Sequence, residues 1–304
     1  MNIFITGGTG FIGLHLIHYL SNYSNKITIF DNFSNSSNKI NLANSNIKII
    51  KGDVLDYPLL SKSLNNIETV IHLAAQISVT DSIKDPNNTI KVNVDGTQNV
   101  LDACLENNVK NLIAISTAAV FGNQYEILTE NSKTDPISPY GKSKLMMEEK
   151  IIDFSKKHHL NSIILRFFNL YGPGQSSQYA GVITKFLENI RENKQLEIYG
   201  NGNQTRDFIH IDDAVECINL AIKNIDKKTG KIYNIGSGKS TSILELANLL
   251  LNLSGKSLPI SFKPEIKGDI LSSQTSIALA KKELGFEPKI SLQEGLTKFF
   301  QDYS

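Results

Sequence analysis

Thirteen residues, Met1 to Gly13, constrain this chain more than any other stretch. Asn2 to Thr6 reads as a short buried strand, with Ile3, Phe4 and Ile5 followed at once by glycines. Gly7, Gly8, Gly10 and Gly13 then make a turn into an apolar helix over Phe11 to Leu20. Two spacings overlap: Gly8-Thr9-Gly10-Phe11-Ile12-Gly13 is GxGxxG, and Gly7, Gly10 and Gly13 are GxxGxxG. Glycines permit positive φ and let backbone N–H groups approach a pyrophosphate at the positive helix N-terminus. A tight turn without ligand would also use glycines, but strand, glycines and helix in this order is the context the motif requires. The stretch predicts dinucleotide binding, with Gly7, Gly10, Phe11, Ile12 and Gly13 among the contacts.

The remaining composition narrows what the dinucleotide serves. A chain of 304 residues can bury a large core, as one α/β domain or as two unequal lobes. A net charge of +1 gives no reason to expect nucleic acid or a membrane surface as partner. No apolar run approaches the roughly 20 residues that span a bilayer. The start is a strand rather than a signal peptide, so a cytoplasmic protein is expected. Cys104 and Cys217 fall inside helical patterns and match no metal spacing, so buried thiols and no metal are expected. Of 31 basic residues only Arg166, Arg191 and Arg206 are arginine. In a chain that otherwise uses lysine, an arginine suggests a need for its planar, bidentate fork.

Taken in order, the chain next gives a strand over Lys26 to Phe30 ending at Asp31, 18 residues beyond Gly13. That is close to the roughly 20 expected for the carboxylate that holds the adenosine ribose, and a carboxylate there favours NAD over NADP. A strand over Ile47 to Lys51 leads to Gly52-Asp53-Val54, where Asp53 could meet an adenine amino group or cap the next helix. Glu68 to Leu73 is a fourth strand, ending in Ala74 and Ala75, small enough to let a cofactor pass. Lys84 to Asn107 reads as one long helical segment carrying Asn93, a mid-helix polar residue that suggests a bridge to a neighbouring strand. Asn111 to Thr117 is a fifth strand, Tyr140 opens a charged helix through about His158, and Ser162 to Phe168 is a further strand. Alternating strands and helices imply a doubly wound, mostly parallel α/β sheet of Rossmann type, with ligands at the carboxyl ends of its strands. Gly7, Asp31, Asp53, Ala74 and Thr117 all fall at such ends. Residues 1–169 are read as the dinucleotide-binding domain and 170–304 as mainly a smaller α/β lobe, with one later segment returning to the sheet.

Tyr140 and Lys144, four apart on a helix, share a face. A phenol with pKa near 10 is a poor base at neutral pH, and lowering it about three units corresponds to roughly 4 kcal/mol. A neighbouring ammonium and a cationic nicotinamide could supply that in a dry cleft. With 10 tyrosines and 28 lysines in 304 residues, about one such spacing is expected by chance. Its value lies in its context: a helix start after Pro136 and Pro139, downstream of the nucleotide-binding strands and of Thr117.

These residues carry a resemblance along nearly the full length. The motifs are Thr6 to Gly13, Asp31-Asn32-Phe33-Ser34-Asn35, Gly52-Asp53-Val54, His72-Leu73-Ala74-Ala75-Gln76 and Asn93 to Thr97. They continue through Ser116 to Gly122, Ser138 to Lys144, Leu165 to Pro173, Gln204 to Phe208 and Gly268-Asp269. The chain resembles the extended short-chain dehydrogenase/reductases of the nucleotide-sugar epimerase/dehydratase group, and within it most resembles UDP-glucose (UDP-galactose) 4-epimerases. The resemblance implies NAD as cofactor, with Asn32, Asn35, Asp53, Val54, Leu73, Ala74, Ala75, Asn93, Tyr140 and Lys144 joining Asp31 and the glycine turn in its site. It implies Tyr140 as base and acid at the sugar 4-hydroxyl, Thr117 as its hydrogen-bond partner, and Lys144 on the nicotinamide ribose. Asn169 and Arg206 would grip the diphosphate, and Val182, Asp269 and Ser273 would complete the nucleotide-sugar site with Thr117 and Tyr140. It further implies a homodimer through a four-helix interface built from the helices at about 84 to 107 and 141 to 158, although the chain's own lobe could cover them.

Related dehydratases and decarboxylases carry acidic residues just after the threonine, whereas here Ala118 and Ala119 follow. The expectation is therefore epimerisation at C4 of a UDP-sugar, by transient oxidation to a 4-keto sugar and return of the hydride. Alternatives are a dehydratase, decarboxylase or reductase of the same group, or a non-catalytic NAD-sensing protein. The chain departs from the family in three places: Ile266 where an arginine is common, Ser273 where some members carry tyrosine, and Phe121 where tyrosine is common. A small residue at Ser273 predicts room for a 2-acetamido group, hence tolerance of UDP-GlcNAc and UDP-GalNAc.

Overall fold

The computed structural model describes residues 1–23, 25–35, 45–175, 181–265 and 270–303. Its strands are β1 Asn2–Thr6, β2 Lys26–Asp31, β3 Ile47–Lys51, β4 Thr69–His72, β5 Asn111–Thr117 and β6 Asn161–Phe167. They continue with β7 Asn169–Tyr171, β8 Leu196–Tyr199, β9 Thr205–His210, β10 Lys231–Ile235, β11 Ser240–Ser242 and β12 Ile260–Lys263.

Seven of these form one sheet in the order β10-β6-β5-β4-β1-β2-β3, with every neighbouring pair parallel. The inner strands β1, β4, β5 and β6 are buried on both faces because both are covered, as a parallel sheet requires, whereas the edge strand β3 stays largely exposed. Alternation assigns the faces. Ile3 and Ile5 pack on one side with Leu16, Ile17 and Leu20 of the Phe11–Ser21 helix and with the Ile211–Lys223 helix. Phe4 points the other way, into a second core with Phe30, Val70, Leu112, Leu101 and Met147. Each such fully buried aliphatic or aromatic side chain contributes roughly 1.5–3 kcal/mol, so the two faces fix the sheet's register.

The strand order reverses between β1 and β4, and the crevice at that switch point is where doubly wound sheets bind ligands. Thr6 at the end of β1 lies opposite Phe30 of β2 and His72 of β4, and Thr117 at the end of β5 lies opposite Phe167 of β6. Every strand end expected to carry chemistry thus opens on the same edge.

After β6 the chain builds a second core. A three-stranded sheet β11-β9-β7 and the parallel pair β12-β8 pack with the helices Val182–Arg191, Ile243–Ser254 and Leu292–Tyr303, around Phe186, Leu246, Leu250, Leu296 and Phe299. β10 and the Ile211–Lys223 helix belong instead to the large sheet.

One expectation is corrected. Lys84 to Asn107 is not one helix but Pro86–Ile90, a π-helical turn Lys91–Asp95 and the helix Gly96–Glu106, preceded by the short helix Val79–Lys84. Asp85, with φ −137°, leaves helical geometry and caps the following turn through Asn88 N at 3.0 Å. The wide turn centres on Asn93, whose side chain is drawn into bonds with two other segments. Cys104 and Cys217 are free and buried. Among the described residues no helix is long and apolar enough to cross a membrane.

Candidate active site

The glycine turn is shaped by what it must touch. Gly7 has φ +67°, and a Cβ there would meet Ala74 N at 2.6 Å, so only glycine lets β1 end against the segment leaving β4. Gly7 N donates to Phe30 O at 2.9 Å, and the Phe11–Ser21 helix starts from Gly10 without a side-chain cap. Its first backbone N–H groups therefore remain available to an anion. Gly10, Phe11 and Ile12 are half-buried around this turn and Gly13 is buried.

Asp31 closes the other side. Its Oδ2 accepts Thr9 N at 2.9 Å and its Oδ1 accepts Phe33 N at 2.8 Å, holding the carboxylate beside the glycine turn with lone pairs to spare. Asn32 Nδ2 donates to Asp53 Oδ2 at 2.9 Å, while Asp53 Oδ1 accepts Leu55 N at 2.9 Å. Asn35 is exposed on the same loop, and Val54 is buried in the sheet's second core. Leu73, Ala74 and Ala75 continue from β4, half-buried, along the floor of the crevice.

The Pro139–His158 helix brings the reactive groups to this edge. Ser138 caps it through Gly141 N at 3.0 Å, and Pro139 occupies the first turn. Gly141 lets the helix start lie on the turn after Thr117, since a Cβ there would sit 2.6 Å from Ala119 O. Thr117 and Tyr140 are therefore neighbours, and the threonine side chain acts on the phenol to lower its pKa. Among the chain's own groups, burial pushes Tyr140 up to about 12, and the Thr117 side chain works against that rise. The downward shift anticipated from the Tyr140–Lys144 spacing does not come from these groups.

Lys144 is 5% exposed, and burial draws its ammonium down to about 8 while Glu148 pulls the other way. Among the described residues its hydrogen-bond partner is Met147 Sδ at 3.3 Å, a weak acceptor for a group with three donors. A buried ammonium so poorly met fits a ligand bearing hydroxyls, as the ribose of a dinucleotide does. With the uncapped helix start and the Asp31 carboxylate, the crevice fits NAD.

Two hydrogen-bonded supports stand behind the site, and of these the His72 chain was not legible in the sequence. Thr97 donates to Asn93 O at 2.7 Å, so its oxygen accepts from His72 Nε2 at 2.9 Å. His72 Nδ1 then accepts from Thr6 Oγ1 at 2.7 Å, and Thr6 accepts from Ala74 N at 3.2 Å. The chain of donors assigns the neutral Nε2–H tautomer, and burial followed by the charge of Lys144 holds His72 down to about 3. Asn93, for its part, accepts Gln76 N at 2.7 Å and donates to Gln76 O at 3.0 Å and Ser143 Oγ at 2.9 Å. Both amide hydrogens are engaged with the chain, so Asn93 ties β4's exit to the Tyr140 helix.

Phe121, fully buried, packs against Phe168 and lies under the guanidinium of Arg166 at 4.9 Å. Among the residues expected to meet substrate, Asn169 is exposed at the start of β7 and Val182 is half-buried at the start of its helix. Arg206 on β9 donates through Nη1 to Thr205 O at 2.8 Å and Ile270 O at 2.5 Å, fastening the 270–276 segment. Ser273 on that segment is 4% exposed, and its N–H faces Thr205 Oγ1 at 3.5 Å. Asp269 and Ile266 lie outside the described residues.

A model of the NAD dependent epimerase/dehydratase family matches residues 3–236. The chain belongs to this family. Its cofactor is NAD. It is 35% identical over 303 residues to a putative UDP-glucose 4-epimerase of Methanocaldococcus jannaschii, covering 97% of this chain and 96% of that protein. The crystal structure of Thermotoga maritima UDP-glucose 4-epimerase with UDP-glucose superposes with a TM-score of 0.92 at 34% identity, over 100% of this chain and 99% of that one. The UDP-N-acetylglucosamine 4-epimerase of Methanobrevibacter ruminantium M1, in complex with UDP-N-acetylmuramic acid, gives a TM-score of 0.92 at 33% identity and the same coverage. Relatives of the family also include a dTDP-glucose 4,6-dehydratase and a UDP-N-acetyl-alpha-D-glucosaminuronate decarboxylase.

Proposed function

We propose that this chain is a UDP-sugar 4-epimerase. The observation that carries the reading is the pairing of Thr117 with Tyr140 above Lys144, followed by a turn, Ala118–Val120, whose first two side chains are methyl groups. That turn offers no acid or base for a second carbon of the sugar, so chemistry confined to C4 is favoured over dehydration or decarboxylation. Thr117 and Tyr140 hold the 4-hydroxyl, and the phenolic oxygen takes its proton and later returns it. Lys144 orients the nicotinamide ribose, while Gly7, Gly10, Gly13, Asp31 and Asp53 hold the remainder of the dinucleotide. When bound, NAD supplies the hydride acceptor and donor for the 4-keto sugar cycle and a positive ring that lowers the phenol's pKa.

Asn169, Val182, Arg206, Asp269 and Ser273 form the nucleotide-sugar side, so residues 1–169 serve mainly the cofactor and 170–304 mainly the substrate. The small side chain of Ser273, with the N-acetylated specificity of one similar structure, supports acceptance of UDP-GalNAc beside UDP-galactose. Two buried, unpaired thiols accord with a cytoplasmic enzyme. Leu105 and Met146 stay 47% and 40% exposed on the helices Gly96–Glu106 and Pro139–His158, and we place a homodimer's four-helix interface there. Sedimentation at micromolar concentration should give twice the chain mass, and a monomer would remove that assembly.

The functional test is incubation with UDP-galactose or UDP-GalNAc and no reductant, followed by product analysis. Both 4-epimers should form. Conversion of UDP-galactose alone would refute the role given to Ser273, and a strict need for reductant would replace the epimerase by a reductase.

A further inference from the structure

Tyr140, Lys144 and Glu148 follow at four-residue steps along one helix and so form one stripe facing the sheet. Glu148 is 1% exposed. Its Oε1 accepts Ser116 Oγ at 2.5 Å and Arg166 Nε at 2.9 Å, and its Oε2 accepts Arg166 Nη2 at 2.6 Å. Ser116 and Arg166 lie opposite each other on β5 and β6, and Ser116 immediately precedes Thr117. Among the described residues Arg166, 3% exposed, has its Nη1 buried without a partner, and its guanidinium face lies against Phe121. Such a pair is poor value as a stabiliser, since packed apolar side chains of similar volume often stabilise as well or better. Its placement suggests another use. From the reactive end inward the buried charges run ammonium, carboxylate, guanidinium.

We propose that Glu148, clamped by Arg166 and Ser116, is a positioning residue that keeps Lys144 an ammonium in its buried place. The inference rests on the reading of Lys144 as the residue that meets the nicotinamide ribose. Burial alone disfavours the charged lysine, and the Glu148 carboxylate is the group that opposes this. The other groups around Lys144 do not substitute for it. Tyr140 on the same helix is a neutral phenol, His72 on β4 is neutral, Ser116 and Thr117 on β5 carry no charge, and Arg166 on β6 is cationic. Arg166 acts by holding the carboxylate bidentately through Nε and Nη2, one edge of its guanidinium, rather than on the lysine itself.

The test follows the lysine directly. In protein labelled with carbon-13 at lysine Cε, the signal lost in Lys144→Gln identifies Lys144, and its titration is read in wild type, Glu148→Gln and the double variant Glu148→Gln/Arg166→Met. The double variant removes the buried Glu148–Arg166 pair together and leaves neither of those two charges unpaired, so it reports even where Glu148→Gln fails to fold. Loss of a nearby opposite charge should lower the Lys144 midpoint by about one unit or more in the single variant, and in the double variant it should stay below wild type. An unchanged midpoint in the double variant would overturn the proposal, because a purely structural pair would be restored by removing both charges. The readout needs no turnover. A shifted midpoint in a protein that converts no UDP-sugar would support this inference while removing the proposed function.

Discussion

Tyr140 illustrates how a residue can be placed by its chain and left chemically unready. Burial holds the phenol at about 12, so the groups around it position the base but do not ionise it. Tyr140→Phe should lower turnover by about 10²–10⁴-fold while released-cofactor absorbance shows NAD still bound, and retained activity would exclude the assigned base. His72 makes a prediction about stability. Its folded value is depressed to about 3 from 6.5, so below pH 6.5 the unfolded chain binds a proton that the folded chain refuses until about pH 3. Stability from this group is full above pH 6.5 and falls as pH drops, by up to about 1.4 kcal/mol per pH unit. Urea titrations at pH 7 and pH 5 should show a smaller acid loss in His72→Gln than in wild type; equal losses would contradict the neutral assignment. Residue identity carried part of this and not the rest. The scarcity of arginine pointed to a bidentate role, and Arg166 has one, but its partner Glu148 is a contact between a helix and a strand that spacing alone does not specify.

Among the elements, the strands were legible because buried parallel strands are short apolar runs that end at glycine or a small polar residue. The observed β1, β3 and β5 coincide with the runs read from the sequence, β2 extends one residue to Asp31, and β4 and β6 differ by one residue at each end. Over Lys84 to Asn107 helical periodicity does not register the departures made by tertiary bonds. Asn93 belongs to Gln76 and Ser143, and Asp85 caps a new turn, so the run divides. The approach of the Tyr140 helix to the Thr117 turn depends on Gly141 lacking a side chain. Gly141→Ala should shift that turn and lower kcat/KM by about 10²-fold with the fold intact by circular dichroism. An alanine variant with wild-type turnover would show that the close approach does not set the geometry of Thr117 and Tyr140.

For the whole molecule, the doubly wound sheet brings the strand ends at Gly7, Asp31, Asp53, Ala74 and Thr117 to one edge, a convergence legible in the sequence because parallel strands end on the same side. The second core, with its three-stranded and two-stranded sheets, was less legible, since its strands are short and separated by long connections. A later segment returning to the large sheet was expected, but that it is Lys231–Ile235 paired with β6 is a long-range contact that local pattern does not encode. In the proposed cycle, hydride leaves and returns at the same sugar carbon. Purified protein incubated with UDP-galactose deuterated at C4, in ordinary water and without added reductant, should yield UDP-glucose that retains the deuterium at C4. Loss of the label to solvent, or product only when a nicotinamide reductant is supplied, would contradict it.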